Sequence, residues 1–409
     1  MNVQRNKLKC MKATLFHFVV CCLLFQIDSA VFAEAIEFQK MVLSNKYYAD
    51  GITTGDFNKD GIVDIVAGPY WYEGPVFKTK HSVYEPVAFP PAKSPSNCML
   101  LFAYDFNGDG WDDILVLGRV HLHKAFWYEN PQTSNGAWER HFVFDRVQGE
   151  SPLLVDMTKD GKPELICHWG GHWGWLQPDW NAPEKPWTFQ ALSPKGNWDK
   201  FYHGTGAGDI NGDGAPDIVI NDGWFENPSP QTGEWYFHPL KFSKERGGAQ
   251  IFVYDVDGDG DNDVISSLDA HGWGVAWFEH IKTGEMITFK QHKIMGDRSE
   301  LMQYGAAFTQ PHALSLVDIN GDGLKDVVTG KRRWAHGPKR DIEPNEIPVI
   351  YWFQLNRCAD GTVRYTPHLV DDWSGVGVQI DALDVNQDGK ADILSASKLG
   401  TFLFLNSSK

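Results

Sequence analysis

The chain has 409 residues, with 37 Lys and Arg against 53 Asp and Glu and a formal net charge of −16. Such an acidic balance argues against nucleic acid as a general partner. Length alone would divide the chain into two or three domains, a division the repeats described below override.

Residues 1–33 have the layout of a secretory signal. Arg5, Lys7, Lys9 and Lys12 form a basic start, an apolar run follows, and Val31 and Ala33 place small residues before a cleavage point. The apolar run is too short to span a bilayer, and no later run is long and apolar enough. A secreted protein, periplasmic or extracellular, is therefore expected, with cleavage near Ala33. Removing the segment takes away four basic residues and one acidic one, so the mature chain is more acidic still. Cys98, Cys167 and Cys358 remain, an odd count that gives no disulfide framework.

Residues 38–43 read as a strand with nothing before it to pair with in the mature chain. After it come seven near-copies of Asp-x-Asn/Asp-x-Asp-Gly-x-x-Asp, beginning at Asp56, Asp105, Asp156, Asp209, Asp255, Asp318 and Asp384. The first loop offers Asp56, Asn58, Asp60 and Asp64, and the second Asp105, Asn107, Asp109 and Asp113. The third departs from the pattern, with Asp156, Thr158, Asp160 and Glu164. The fourth offers Asp209, Asn211, Asp213 and Asp217, and the fifth, the most acidic, Asp255, Asp257, Asp259 and Asp263. The sixth has Asp318, Asn320, Asp322 and Asp326, and the seventh Asp384, Asn386, Asp388 and Asp392.

Oxygen ligands at positions 1, 3, 5 and 9 of a tight loop can converge on one hard cation, which points to Ca²⁺ at up to seven structural sites. An EF-hand would need a bidentate Glu at position 12 between helices. Here that position holds Ala67, Val116, Cys167, Ile220, Ser266, Thr329 or Ser395, and the flanks are strand-like. Hairpin turns also use Asp, Asn and Gly, but turn-making does not require carboxylates at positions 1 and 5 and an acid at 9 in every copy.

The loop starts are 49, 51, 53, 46, 63 and 66 residues apart, the size of a four-stranded propeller blade. Each unit reads as a short strand, the loop, a β-branched strand, an aromatic strand such as Trp127-Tyr-Glu-Asn-Pro131, and a fourth strand with an aromatic-x-x-His/Gln-x-aliphatic pattern. His141, His238, His292 and His368 recur in that pattern and read as structural. The chain stops after a third strand, so the strand at 38–43 is expected to complete the last blade and close the ring. The fold expected is all-β, one seven-bladed β-propeller over residues 34–409.

These loops and this strand order resemble the FG-GAP/VCBS repeats of integrin-α-like β-propellers, over essentially the whole mature chain. That resemblance implies Ca²⁺ hairpins on one face of the ring and a ligand site on the opposite face. Counting six residues back from each loop start samples one layer near that second face: Asp50, Met99, Glu150, His203, Ala249, His312 and Val378. Second strands add His168, Asn221 and Asp222, Lys331 and Arg332. Nearby loops add Arg119, His121, His123, His172, Trp173, His271, Trp273, Trp334 and His336.

A polar, His- and Trp-rich mouth is a ligand site by general criteria. The candidate catalytic set is His203, His312, Glu150, His168, Lys331 and Arg332. His203 or His312 would serve as base. Lys331, Arg332, or a second metal held by Glu150 and the histidines would stabilise an oxyanion. The Trp-rich run 168–175 either packs blades or stacks on sugar rings. The stretch Gly330-Lys-Arg-Arg-Trp-Ala-His336 is similar to the propeller of aldos-2-ulose dehydratase-like proteins, which implies a carbohydrate lyase or dehydratase. The alternative is a non-catalytic module, monomeric, that binds a carbohydrate or protein ligand on the same face.

Overall fold

A computed structural model of the chain describes residues 36–118, 124–133, 136–228, 233–243 and 247–408. Residues 1–33, expected to be a signal segment, and Arg119, His121 and His123 lie outside the described residues. The strands form seven four-stranded antiparallel sheets, arranged as a seven-bladed propeller. Six blades use four consecutive strands each. The seventh is built from Ile380–Leu383, Asp392–Ser397 and Gly400–Asn406, with Phe38–Ser44 as its outer strand. Phe38 pairs with Asn406 and Val42 with Phe402, so the two ends of the ring share one sheet, as the sequence predicts.

Position within a blade explains the composition of each strand. Second strands such as Asp64–Ala67, Asp113–Leu117 and Asp392–Ser397 are buried at every residue. They lie mid-sheet with a neighbouring blade on each face, which suits their unbroken aliphatic runs. The third strands of blades one to six carry a buried Trp, and in five of these blades the solvent-facing fourth strand carries one His. In five blades these two stack: Trp71 on His81, Trp127 on His141, Trp224 on His238, Trp277 on His292 and Trp352 on His368, with centroids 3.9–4.4 Å apart. In four of them the His Nε2 also meets a third-strand Glu, as with His141 and Glu129 at 2.8 Å. The His and Trp are thereby fixed as parts of the blade.

All seven acidic loops join the first and second strands of a blade. The residue after each opening Asp is a buried apolar plug: Phe57, Phe106, Met157, Ile210, Val256, Ile319 or Val385. The position-nine Asp is fully buried or nearly so and accepts two backbone N–H groups. Asp113 takes Phe106 N at 3.0 Å and Asn130 N at 2.8 Å; Asp392 takes Val385 N at 3.1 Å and Asn406 N at 2.8 Å. That carboxylate therefore ties its loop to the end of the third strand, whatever else it binds. In the third loop the longer Glu164 reaches Met157 N at 2.8 Å and Thr158 Oγ1 at 3.1 Å.

Candidate functional site

The layer counted back from the loops converges at the mouth of the ring opposite them. Glu150 stands in the first strand of blade three, Gln148–Val155, and its N–H donates to Tyr202 O at 2.8 Å. Gly149 before it has φ 94°, a backbone conformation that favours glycine at this turn. His203 precedes the first strand of blade four, where Gly204 N donates to Ser151 Oγ at 2.9 Å. His312 lies in the first strand of blade six, Pro311–Val317.

Blade five has Ala249 in this layer and contributes instead from the loop after its second strand. There Asp269 Oδ1 accepts the His271 N–H at 2.8 Å, and Gly272 O accepts Gln310 N at 2.8 Å. The loop is thus pinned both to itself and to blade six. His271 was legible only as one of several histidines in mouth loops. It sits outside the repeat register, and its Asp269-Ala-His271 turn is the one local sign of a fixed orientation.

The four residues meet through their ring and carboxylate tips. Glu150 Oε2 lies 3.2 Å from both His203 Nε2 and His312 Nε2, and His203 Nε2 lies 2.9 Å from His271 Nε2. All four potential ligand atoms fall within 4.8 Å of one another. His203 and His312 are 2% and 1% exposed. Arg332 closes the group, with Nη1 2.9 Å from His312 Nε2 and Nη2 3.4 Å from Asp50 Oδ1. Asp50, also buried, accepts from Tyr47 Oη and Ser96 Oγ.

Burial, reinforced by the neighbouring His312 and His203, holds His271 far below the usual histidine range. Burial and the Arg332 charge lower His312 to about 4. Both imidazoles are therefore neutral at pH 7, the form that ligates metals. A guanidinium only donates, so His312 Nε2 accepts from Arg332 and the ring proton is assigned to Nδ1. Once His312 Nε2 is released from Arg332, three imidazole nitrogens and one carboxylate oxygen form a donor set suited to Zn²⁺ or another divalent first-row metal. On the outer side, His336 packs on His271 at 4.5 Å, and Asp341 Oδ1 holds its Nδ1 at 3.0 Å.

Two members of the expected set stand elsewhere. Lys331 is 1% exposed and donates to Thr309 Oγ1, beside a cavity of about 150 Å³ lined by Arg298, Glu343 and Glu346. It follows Gly330 and precedes Arg332 on an extended strand, where successive side chains point to opposite faces. His168 is buried against Trp173 and Tyr202 and is not among the four converging residues. Trp173, 1% exposed, serves packing. His172 is held by Ser193 O at 2.9 Å.

A ring of seven antiparallel blades, with an acidic loop in each and a polar mouth opposite, defines a class of repeat protein. A family model described as FG-GAP-like repeat matches residues 105–167 and 209–266. Those stretches hold the second to fifth loops, so the chain is a seven-bladed propeller carrying FG-GAP-like repeats. No curated protein matches the sequence significantly. Among solved structures, it is similar to an Agrocybe aegerita lectin described as specifically recognising non-reducing terminal N-acetylglucosamine. The identity is 16%, over 83% of this chain and 81% of that one, with a TM-score of 0.45. It is also similar to the V. cholerae biofilm matrix protein Bap1, at 11% identity over 91% and 92% of the two chains, with a TM-score of 0.44.

Proposed function

We propose that this protein is a secreted, Ca²⁺-stapled propeller whose mouth binds a divalent transition metal and acts on an oxygen-rich, carbohydrate-derived ligand. The observation that carries the reading is the convergence of His203, His271 and His312 Nε2 with Glu150 Oε2. Three imidazoles with inward-facing nitrogens make a poor packing layer, because their polar atoms then satisfy one another incompletely. The Nδ1 atoms of all three lack a hydrogen-bond partner among the described residues. A bound cation would give the Nε2 atoms a common purpose.

The chemistry favoured is lyase or dehydratase type. A metal there supplies Lewis acidity toward a carbonyl or carboxylate oxygen. Arg332 adds a permanent positive charge beside the same point and stabilises oxyanion character as it develops. With His203 and His312 engaged as ligands, the base is assigned to His336, whose Nδ1 is oriented by Asp341 and whose Nε2 is free to take a proton next to the carbonyl. The departing hydroxyl leaves as water with that proton. Lys331 has no part in this scheme. The non-catalytic reading rests on the depth of the centre, since His203 and His312 are almost fully covered.

The test is metal analysis of the purified protein together with turnover of 2-keto sugars and uronides, followed by absorbance of the unsaturated product. About one transition-metal equivalent is expected, lost in His203→Ala with His271→Ala. Turnover should fall at least 100-fold in His336→Gln with metal retained. A protein that takes up no transition metal, and whose behaviour the double variant leaves unchanged, sinks the reading. Metal without turnover leaves the binding module.

A further inference from the structure

A second site lies on the other side of the backbone from the centre. Residues 202 and 203 are consecutive, just before the first strand of blade four, and their side chains part to different sites. His203 enters the centre. Tyr202 lines a cleft of about 320 Å³ formed by the run into blade four and blade four's own loops, with Trp198, Phe201, Asn221, Asp222 and Lys241. The cleft is built on fixed parts. Tyr202 Oη donates to Asp222 Oδ2 at 3.0 Å and accepts the Asp222 N–H at 3.0 Å. Trp198 meets Tyr202 edge-on at 5.9 Å. Asp222 N–H is thus spoken for, while its Oδ1 faces Lys241 Nζ at 3.6 Å.

We propose that this cleft binds one neutral pyranose ring. Three features select that chemistry. The aromatic wall of Trp198, Tyr202 and Phe201, the last 42% exposed, offers apolar surface at the rim of the protein, where an axial-hydrogen face of a sugar can pack. Asp222, Asn221 and Lys241 bring a carboxylate, an amide and an ammonium to the same small space, which together accept from and donate to vicinal hydroxyls. Two acids, Asp199 and Asp222, stand against two amines, Lys241 and Lys200, so the charges cancel and leave no cationic excess to hold a carboxylate. An anionic sugar is therefore disfavoured here, in contrast to the centre with its Arg332. The volume is at the small end for ligand sites, which limits the occupant to about one ring. This site stands whether or not the centre holds a metal.

The experiment is saturation-transfer NMR on the full chain with a panel of neutral methyl hexopyranosides, methyl N-acetylhexosaminides and the corresponding uronates. At least one neutral glycoside should bind, with its uronate weaker by about tenfold or more. Phe201→Ala should weaken binding roughly tenfold, and Lys241→Met should weaken it by a smaller factor. Both sites are on the surface, so folding is checked by an unchanged melting curve. His203→Ala with His271→Ala should leave the neutral glycoside bound. The proposal is overturned if no panel member binds, if Phe201→Ala leaves affinity intact, or if binding disappears with the centre's double variant instead.

Discussion

Lys331 and Arg332 are adjacent in sequence and opposite in environment. Arg332 reaches Asp50 and His312 and belongs to the centre; Lys331 is buried on the far side with its amine on Thr309. Strand alternation says that the two differ, but not which one faces the mouth. The register between the first two strands of blade six shifts between Pro311 and Leu314, which defeats counting from the loop. Burial lowers the Lys331 amine from 10.5 to about 8. The unfolded chain keeps that proton up to about pH 10.4, so between these values it binds more protons than the folded chain. Stability from this group therefore rises with pH over that window. At pH 7 the folded protein carries a buried charge, and Lys331→Met should stabilise it by on the order of 1–3 kcal/mol. Urea unfolding at pH 7 and pH 10 checks this: the gain should shrink at the higher pH, and a constant gain would rule out charge burial as its cause.

The acidic loops were the most readable elements, because the same chemistry recurs seven times with the same offsets. The structure adds a division of labour within each. The opening Asp and the residue at position five organise the turn: Asp209 Oδ1 and Oδ2 accept Gly212 N and Gly214 N, each at 2.7 Å, and Asp213 Oδ1 accepts Ala215 N at 2.8 Å. The position-nine Asp anchors the third strand, a role that sequence spacing alone does not reveal because its partner lies 10 to 29 residues further on. In the fifth loop Asp255, Asp257 and Asp263 offer oxygens within 4.8 Å of one another. Three carboxylates so close repel unless a cation joins them. Chelation with EDTA should therefore lower the melting temperature by several degrees, with readdition of Ca²⁺ restoring it and Mg²⁺ doing so less well. A melting temperature indifferent to EDTA and Ca²⁺ would remove calcium from the account.

At the scale of the molecule, the ring closes where Phe38–Ser44 pairs with Gly400–Asn406, and both ends of the repeat pattern announced this. A chain lacking residues 36–44 leaves Gly400–Asn406 as an open sheet edge bearing Phe402 and Phe404. That variant should melt well below the full chain and form concentration-dependent aggregates in light scattering; a monomer of unchanged stability would show that closure is dispensable. The centre was partly legible because three of its members share one layer, and partly hidden because His271 arrives from outside the repeat. Its members are drawn from blades three, four, five and six, and Asp50, on the run into blade one, steadies Arg332 across the join. No single blade contains the whole group, and Arg332 from blade six meets Asp50 only because the chain comes round on itself. A ribosome-bound chain therefore has every acidic loop but the last before it has a working mouth. The mouth is complete only when the run into blade one has come round to blade six, so an opened ring loses the Asp50 support of Arg332.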